Sequence, residues 1–437
     1  MPAPSPTRPQ SAADDAPGNV AADTHVADLT ISAAERDVLR RLAGRVAELA
    51  ARPSEREKRA LWTAHNDLER VRPLLFCDPE RGWQEIITPD QLVCTHDLAR
   101  GWEHALRKEI FWGTQMGDDY TIMPFFDSPH VHSGGLEDWG VKETLIGGEH
   151  GGSYVWRSPI RSAEDLKNLR KPRVIVDHAA TQRLADLAND VLGDLLTVRI
   201  RTNWWWTLGM TMKLAHLRGL EQIMLDLVDN PDLIHALMAI LRDGTMQLLD
   251  QLETEGLLSL NNDGTYVGSG GLGWCHELPQ PDFDGHVRPC DMWGFGESQE
   301  TVGVSAAMFA EFIFPYQVPI LERFGLNCYG CCEPLDKRWH VVKNIPRLRR
   351  VSVSAWANVE KMAEMLGDRY IFSWKPSPTD LAMPFDEPRI RAYLRHCFEA
   401  TRGCRVEAIM KDNHTLGGDP TRATEWCRVA REEAERI

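Results

Sequence analysis

Between Asn327 and His340 the chain reads NCYGCCEPLDKRWH, which puts Cys328, Cys331, Cys332, Glu333 and a proline within seven residues. Thiols packed beside a carboxylate suit three roles: soft ligands for a metal, a redox pair, or small buried residues of a core. The other seven cysteines, Cys77, Cys94, Cys275, Cys290, Cys397, Cys404 and Cys427, are scattered singly through apolar or mixed segments and read as core residues.

A second concentration lies near the carboxyl end, where KDNHTLGG groups Lys411, Asp412, Asn413 and His414. Cys331 with His414 and one of Cys328, Cys332, Glu333 or Glu297 would supply three ligands of a catalytic zinc with one position open. Zinc lowers the pKa of a bound thiol or water, so such a site would keep a thiolate ready at neutral pH. Asp412 would orient the imidazole, and Glu297, Asp412 and Asn413 are the candidate catalytic groups. Two other readings stay open: a Cys328-x-x-Cys331 redox pair, and cysteines that only pack. The Trp204-Trp205-Trp206 run offers Trp205 and Trp206 as a wall for a flat ligand such as a pterin or corrin, or as packing. GSGGLG, residues 268–273, has the glycine density of a phosphate cradle, but no helix obviously follows it and Pro279 and Pro281 do.

These residues need a frame. Residues 1–30, rich in Pro, Ala, Ser and Asp, read as a disordered tail. Residues 31–70 form a helical extension, opened by a Ser32/Glu35 capping box and packing on the main body or on a partner subunit, as in a homodimer. From residue 71 to 437 short apolar runs alternate with amphipathic segments, the mark of a parallel sheet covered by helices. Strands are expected at 72–77, 195–200, 256–261, 291–296, 325–330, 349–354, 370–375 and 406–411. Residues 101–190 fit the alternation badly and read as insertions with an extended piece at DYTIMPFF. Eight strands with intervening helices predict an α/β fold, a (β/α)8 TIM-type barrel whose site lies at the carboxyl ends of the strands. Glu297, Cys331, Cys332, Glu333, Asp412, Asn413 and His414 would then converge on one rim.

Composition bounds the partners. A formal charge of −15 repels phosphate backbones and anionic headgroups, which disfavours nucleic acid and membrane surfaces. No run of eighteen apolar residues exists, and the amino terminus, MPAPSPTRPQSAADDAPG, lacks the pattern of a targeting segment; a cytoplasmic location is expected.

The stretch TNWWWTLGMTMKLAHLRGLEQIMLDLVDNPDLIHALMAIL resembles the uroporphyrinogen decarboxylase superfamily in its W-T-L-like turn, R-G-x-E turn and D-x-P helix. ETVGVSAAMFAEFIFPYQVPILERFGLNCYGCCE is similar to that family's S-x-x-x-F-x-x-F-x-x-P-Y helix and the strand bearing H-x-C-G. The resemblance runs over residues 90–437 and implies the barrel. Where true decarboxylases carry an R-Q-A-G-R loop, this chain reads CDPERGWQEII, with Arg81 alone. The methyltransferase branch is the nearer match. It implies zinc at Cys331, which stands in the H-x-C position with Tyr329 in place of the histidine, and His414 near the carboxyl-terminal cysteine position. It also implies a cobalamin corrinoid on a partner protein, since the D-x-H-x-x-G signature of a corrinoid-binding domain is absent. The expected function is zinc-assisted methyl transfer between a small substrate and that corrinoid. The alternatives are a metal-independent lyase that decarboxylates a polycarboxylate with Arg81 and Arg157, and a non-catalytic accessory subunit binding a corrinoid protein or pterin.

Overall fold

A computed structural model of the chain describes residues 29–142, 144–147 and 154–437. Nearly all of the expected tail lies outside them. The fold is α/β. Its strands in chain order are β1 (Leu74–Cys77), β2 (Phe125–Ser128), β3 (His132–Gly134), β4 (Thr144–Gly147), β5 (Tyr154–Arg157), β6 (Val174–Val176), β7 (Thr197–Ile200), β8 (Trp293–Gly296), β9 (Leu326–Tyr329), β10 (Leu348–Val353), β11 (Ile371–Trp374) and β12 (Arg405–Met410). A six-stranded sheet runs in the order β1-β12-β11-β10-β9-β8, with every neighbouring pair parallel. β2 and β7 form a separate parallel pair, and β3 with β6 and β4 with β5 form antiparallel pairs.

Seven of the eight expected strands are present, within two residues at each end. The eighth differs: residues 256–261 form no strand, and no ladder joins the six-stranded sheet to the β2–β7 pair, so a closed barrel is not observed among the described residues. Side chains have taken the ladder positions at both edges. At the β8 edge, Asn261 accepts from Trp293 N at 2.8 Å and donates to Trp293 O at 3.0 Å. At the β1 edge, Leu75 N donates to Asp119 Oδ2 at 2.8 Å and Cys77 N to Asp118 Oδ2 at 2.9 Å. An unpaired strand edge is a row of hydrogen-bonding groups that must be satisfied, and here carboxylates and an amide do it. The stretch expected as insertions contains the helices Asp97–Phe111 and His178–Leu192 as well as β2.

The expected capping box is in place: Glu35 N donates to Ser32 Oγ at 3.3 Å, and Ser32 N to Glu35 Oε2 at 3.1 Å, opening the helix Ala33–Ala50. The next helix, Pro53–Asn66, docks its last turn against the sheet. His65 Nε2 lies 3.1 Å from Glu407 Oε2, and Arg350 Nη2 donates to Asn66 Oδ1 at 2.7 Å. The extension therefore packs on the main body. The segment between β8 and β9 is divided into the helices Ala306–Phe312 and Phe314–Leu321, because Pro315 cannot donate to a helical carbonyl behind it.

The glycine-rich segment is a packing device. Val267 N donates to Gly271 O at 3.0 Å and Tyr266 pairs with Leu272, closing a hairpin that lies against the sheet. A Cβ on Gly268 would come within 2.7 Å of Cys328 Cβ, and one on Gly270 within 2.4 Å of Ile409 Cγ2. Gly270 also has φ +123°, which strains any other residue. Gly270→Ala should therefore cost about 2–3 kcal/mol from backbone strain and overpacking together, read as a lowered urea midpoint at unchanged slope. A midpoint equal to wild type would show that the hairpin is not seated on the sheet.

Candidate functional site

Because the six strands are parallel, their carboxyl ends gather along one side. The register pairs Met410 with Cys77, so Lys411 and Asp78 are the next residues out on neighbouring strands. Cys331 and Cys332 follow β9. Their sulfurs stand 3.6 Å apart, Cys331 buried and Cys332 exposed. The Cys332 thiol reaches Asp412 Oδ2 at 3.8 Å. Lys411 Nζ lies 2.7 Å from Asp412 Oδ1, 3.7 Å from Glu80 Oε1 and 4.0 Å from Cys331 Sγ. Residues 80 apart in the sequence thus meet, and a thiol pair, an ammonium and two carboxyls share one small volume.

The electrostatics follow from that grouping. The hydrogen bond from the Cys332 thiol draws Cys331 below the ordinary thiol range against the opposing effect of burial, and Lys411 assists. The same bond, together with burial, pushes Cys332 up, so Cys331 is the more readily ionised thiol of the pair. Burial works against the Lys411 charge, yet Asp412, Cys331, Tyr266 and Glu80 together hold that ammonium well above its usual value. Burial pushes the Glu80 carboxyl up to about 7 despite Lys411, which leaves it partly protonated at neutral pH. Asp412 stays ionised: burial opposes its charge, but the Lys411 ammonium outweighs that. Both Glu80 (φ +49°) and Asp412 (φ +62°) sit in left-handed backbone, a conformation that non-glycine residues adopt at a cost and that clusters at functional sites.

The remaining expected residues divide. Glu333 is buried and braces the cysteine loop, its two oxygens accepting from Ser298 N at 2.7 Å and Cys331 N at 2.9 Å. Glu297 is buried, accepting from Gln299 N at 2.9 Å; burial, with Glu300 and Glu333 nearby, pushes its carboxyl well up. Cys328 faces the glycine hairpin, 3.6 Å from Arg350 Nη1, and burial raises its thiol. Asn413 is buried, with neither its amide nitrogen nor its amide oxygen hydrogen-bonded. His414 is exposed. Trp206 packs edge-on against Phe295, over the interior group that includes Cys328 and Cys331, whereas Trp205 turns to Phe324. Of the lyase candidates, Arg157 is exposed on β5 and Arg81 half-buried after β1.

Among the described residues no three His, Cys, Asp or Glu side chains are grouped to hold a metal ion. Cys331, Cys332 and Asp412 come nearest, and the Lys411 ammonium already sits among them.

Two residues at this edge lay outside the sequence reading. Glu80 stood in CDPERGWQEII as one acid among several, and Lys375 as the last residue of a strand. The available signal for Lys375 was period two: Ser373 on β11 and Lys375 just past it, and Glu407 on β12 and Lys411 just past it, are polar groups an even number of residues apart in otherwise apolar runs, which points them at one face.

No helix among the described residues is long and apolar enough to cross a membrane. No family model matches the chain, and no curated protein matches it by sequence. Among solved structures, a methyltransferase from Methanosarcina mazei is similar at 12% identity and a TM-score of 0.47, over 86% of this chain and 97% of that one, a likeness recorded here as a likeness alone.

Proposed function

We propose that the protein is an enzyme of methyl transfer, moving a methyl group between a small substrate and a corrinoid carried on a partner protein, with the Cys331 thiolate as its reactive group. The observation that carries this is the Cys331 sulfur held between the Cys332 thiol at 3.6 Å and the Lys411 ammonium at 4.0 Å, at the open edge of a parallel sheet. A thiolate is the nucleophilic form of cysteine and attacks a methyl carbon in line. The S–C bond forms as the donor's bond to carbon breaks, and the donor keeps that electron pair. In the return half-reaction the acceptor attacks the same carbon and Cys331 leaves as thiolate. Lys411 lowers the energy of the sulfur anion in both directions. The Glu80 carboxyl, near half-protonated at pH 7 and 3.7 Å from Lys411, is a proton source for a basic leaving group.

Every step uses the chain's own groups. Zinc is a separate clause of the proposal, requiring about one equivalent in the purified protein and its loss in a Cys331→Ser variant.

The test uses the full chain with methylcobalamin as methyl source and a panel of small thiols as acceptors. Methylated thiol formed faster than in the protein-free control supports the proposal. No product across the panel, with the methyl donor intact, removes it.

A further inference from the structure

Lys375 has no part in the scheme above, yet it is placed as a reactive amine. It follows β11 and is buried, and its backbone N–H continues the ladder to Val353 O at 2.8 Å. Its amine donates to Ser373 Oγ at 2.5 Å and to Ser373 O at 3.1 Å, and Ser373 Oγ in turn donates to Glu407 Oε1 at 2.5 Å. Two of the amine's positions are thus fixed by one serine, and that serine is fixed by a buried carboxylate.

The neighbours of Lys375 follow from register. Val353 pairs with Trp374 and Trp374 with Ala408, so Ser354 lies beside Lys375 on one side and Ile409 on the other. Residues in register on adjacent strands point to the same face. The Ser354 hydroxyl is buried without a hydrogen-bond partner, and so are both polar atoms of the Asn413 amide, two residues beyond Lys411. An unsatisfied buried polar group costs about 1–3 kcal/mol, so native proteins keep few of them. Ser354 lies in register beside Lys375, so its unpaired hydroxyl leaves a hydrogen bond open for a polar guest next to the amine.

Burial shifts the balance toward the neutral, nucleophilic amine. Burial pushes the Lys375 ammonium down to about 8; Glu407 opposes this, Lys411 adds to it, Cys331 opposes and Arg350 adds. A buried lysine beside other cations is the recognised setting for an amine that attacks carbonyl carbon. Lys411 further favours a guest that carries a carboxylate.

We propose that Lys375 condenses with a small oxo acid to form an imine, with the Ser354 hydroxyl and Asn413 amide hydrogen-bonding the bound molecule. The amine lone pair attacks the carbonyl carbon and the C–N bond forms. The two amine hydrogens then leave with the carbonyl oxygen as water, so the step needs no oxidant or reductant. The imine withdraws electrons from the adjoining carbons, which is the activation that loss of carbon dioxide or of an α-proton requires.

The test is reductive trapping. The full chain is incubated at pH 8 with pyruvate or acetoacetate and sodium cyanoborohydride, then digested and mapped by mass. Hydride converts the imine to a stable secondary amine, so the modified peptide gains the mass of the probe, less water, plus two hydrogens. Lys375 is expected to be labelled at least about tenfold more than the mean of the other lysines. That preference should vanish when the protein is unfolded in urea beforehand. Labelling spread evenly over surface lysines, or an unmodified Lys375 peptide, overturns the proposal. Mapping on the wild-type chain decides this without relying on a variant that folds, and a folded Lys375→Arg protein should show no preferred site. The readout is independent of methyl transfer, so the two readings fail separately.

Discussion

Replacing Glu407 by glutamine should lower the free energy of unfolding by about 3–5 kcal/mol, the cost of removing one partner of a buried ion pair. Glu407 is wholly buried on β12 and holds three groups at once: Arg350 Nε at 2.9 Å, His65 Nε2 at 3.1 Å and Ser373 Oγ at 2.5 Å. Glutamine keeps the shape but not the charge, so Arg350 would be left ionised inside the sheet facing Asn66, Leu272 O, the Cys328 sulfur and the Trp293 ring, none of them an anionic carboxylate. The penalty comes from that stranded guanidinium more than from the lost attraction. The pH dependence carries a sign. Burial opposes the Glu407 charge, but Arg350 and His65 outweigh it and hold the carboxyl at about 2. A carboxyl whose folded pKa is depressed contributes stability that is fully present above its unfolded value, about 4.3, and is lost as pH falls through the folded one. Wild-type stability should therefore fall between about pH 4.5 and pH 2, and Glu407→Gln should lack that part of the slope. Urea titrations over this range measure both; a midpoint within experimental scatter of wild type at pH 7 would dismiss the network as a stabilising one.

Cys331→Ser should reduce methyl transfer at least about 10²-fold, because a serine hydroxyl does not ionise near neutral pH and oxygen is the poorer nucleophile toward carbon. The change is small in volume, and Cys331 makes its backbone bond to Glu333 whichever side chain it bears, so the fold should be kept. Cys332→Ser should have the milder effect, since that residue supplies a hydrogen bond to the reactive sulfur and not the sulfur itself. Brief treatment with iodoacetamide at pH 7, followed by peptide mapping, gives a second reading: carboxamidomethylation should fall first on Cys331 if the thiolate is reachable. Full transfer activity in a folded Cys331→Ser protein would exclude this sulfur from the chemistry.

Much of the fold was legible because its signals are local or periodic. Buried parallel strands read as apolar runs, and seven of the eight expected from such runs are present. Ser32 and Glu35 are three residues apart and satisfy each other across one helical turn. The strand expected at 256–261 failed because an apolar run states only that a segment is buried. Whether it joins a ladder depends on a partner, and here Asn261 met the edge of β8 with its side chain. GSGGLG shows the same limit: its glycines are required by Cys328 and Ile409, which are distant in sequence.

What the sequence determined by itself was the α/β alternation, the helix starts and the strand ends that carry Cys331, Cys332, Glu333, Lys411 and Asp412, since spacing along the chain encodes which face a residue takes. Tertiary structure alone decided which of these meet and in what charge state. It put Lys411 beside Cys331 and left His414 exposed, turned Glu333 into a brace, and enclosed Lys375 with Ser354 and Glu407. The reason is physical: a thiolate, a neutral amine or a protonated carboxyl is set by burial and by charges a few ångströms away, and those neighbours come from strands far apart in the chain.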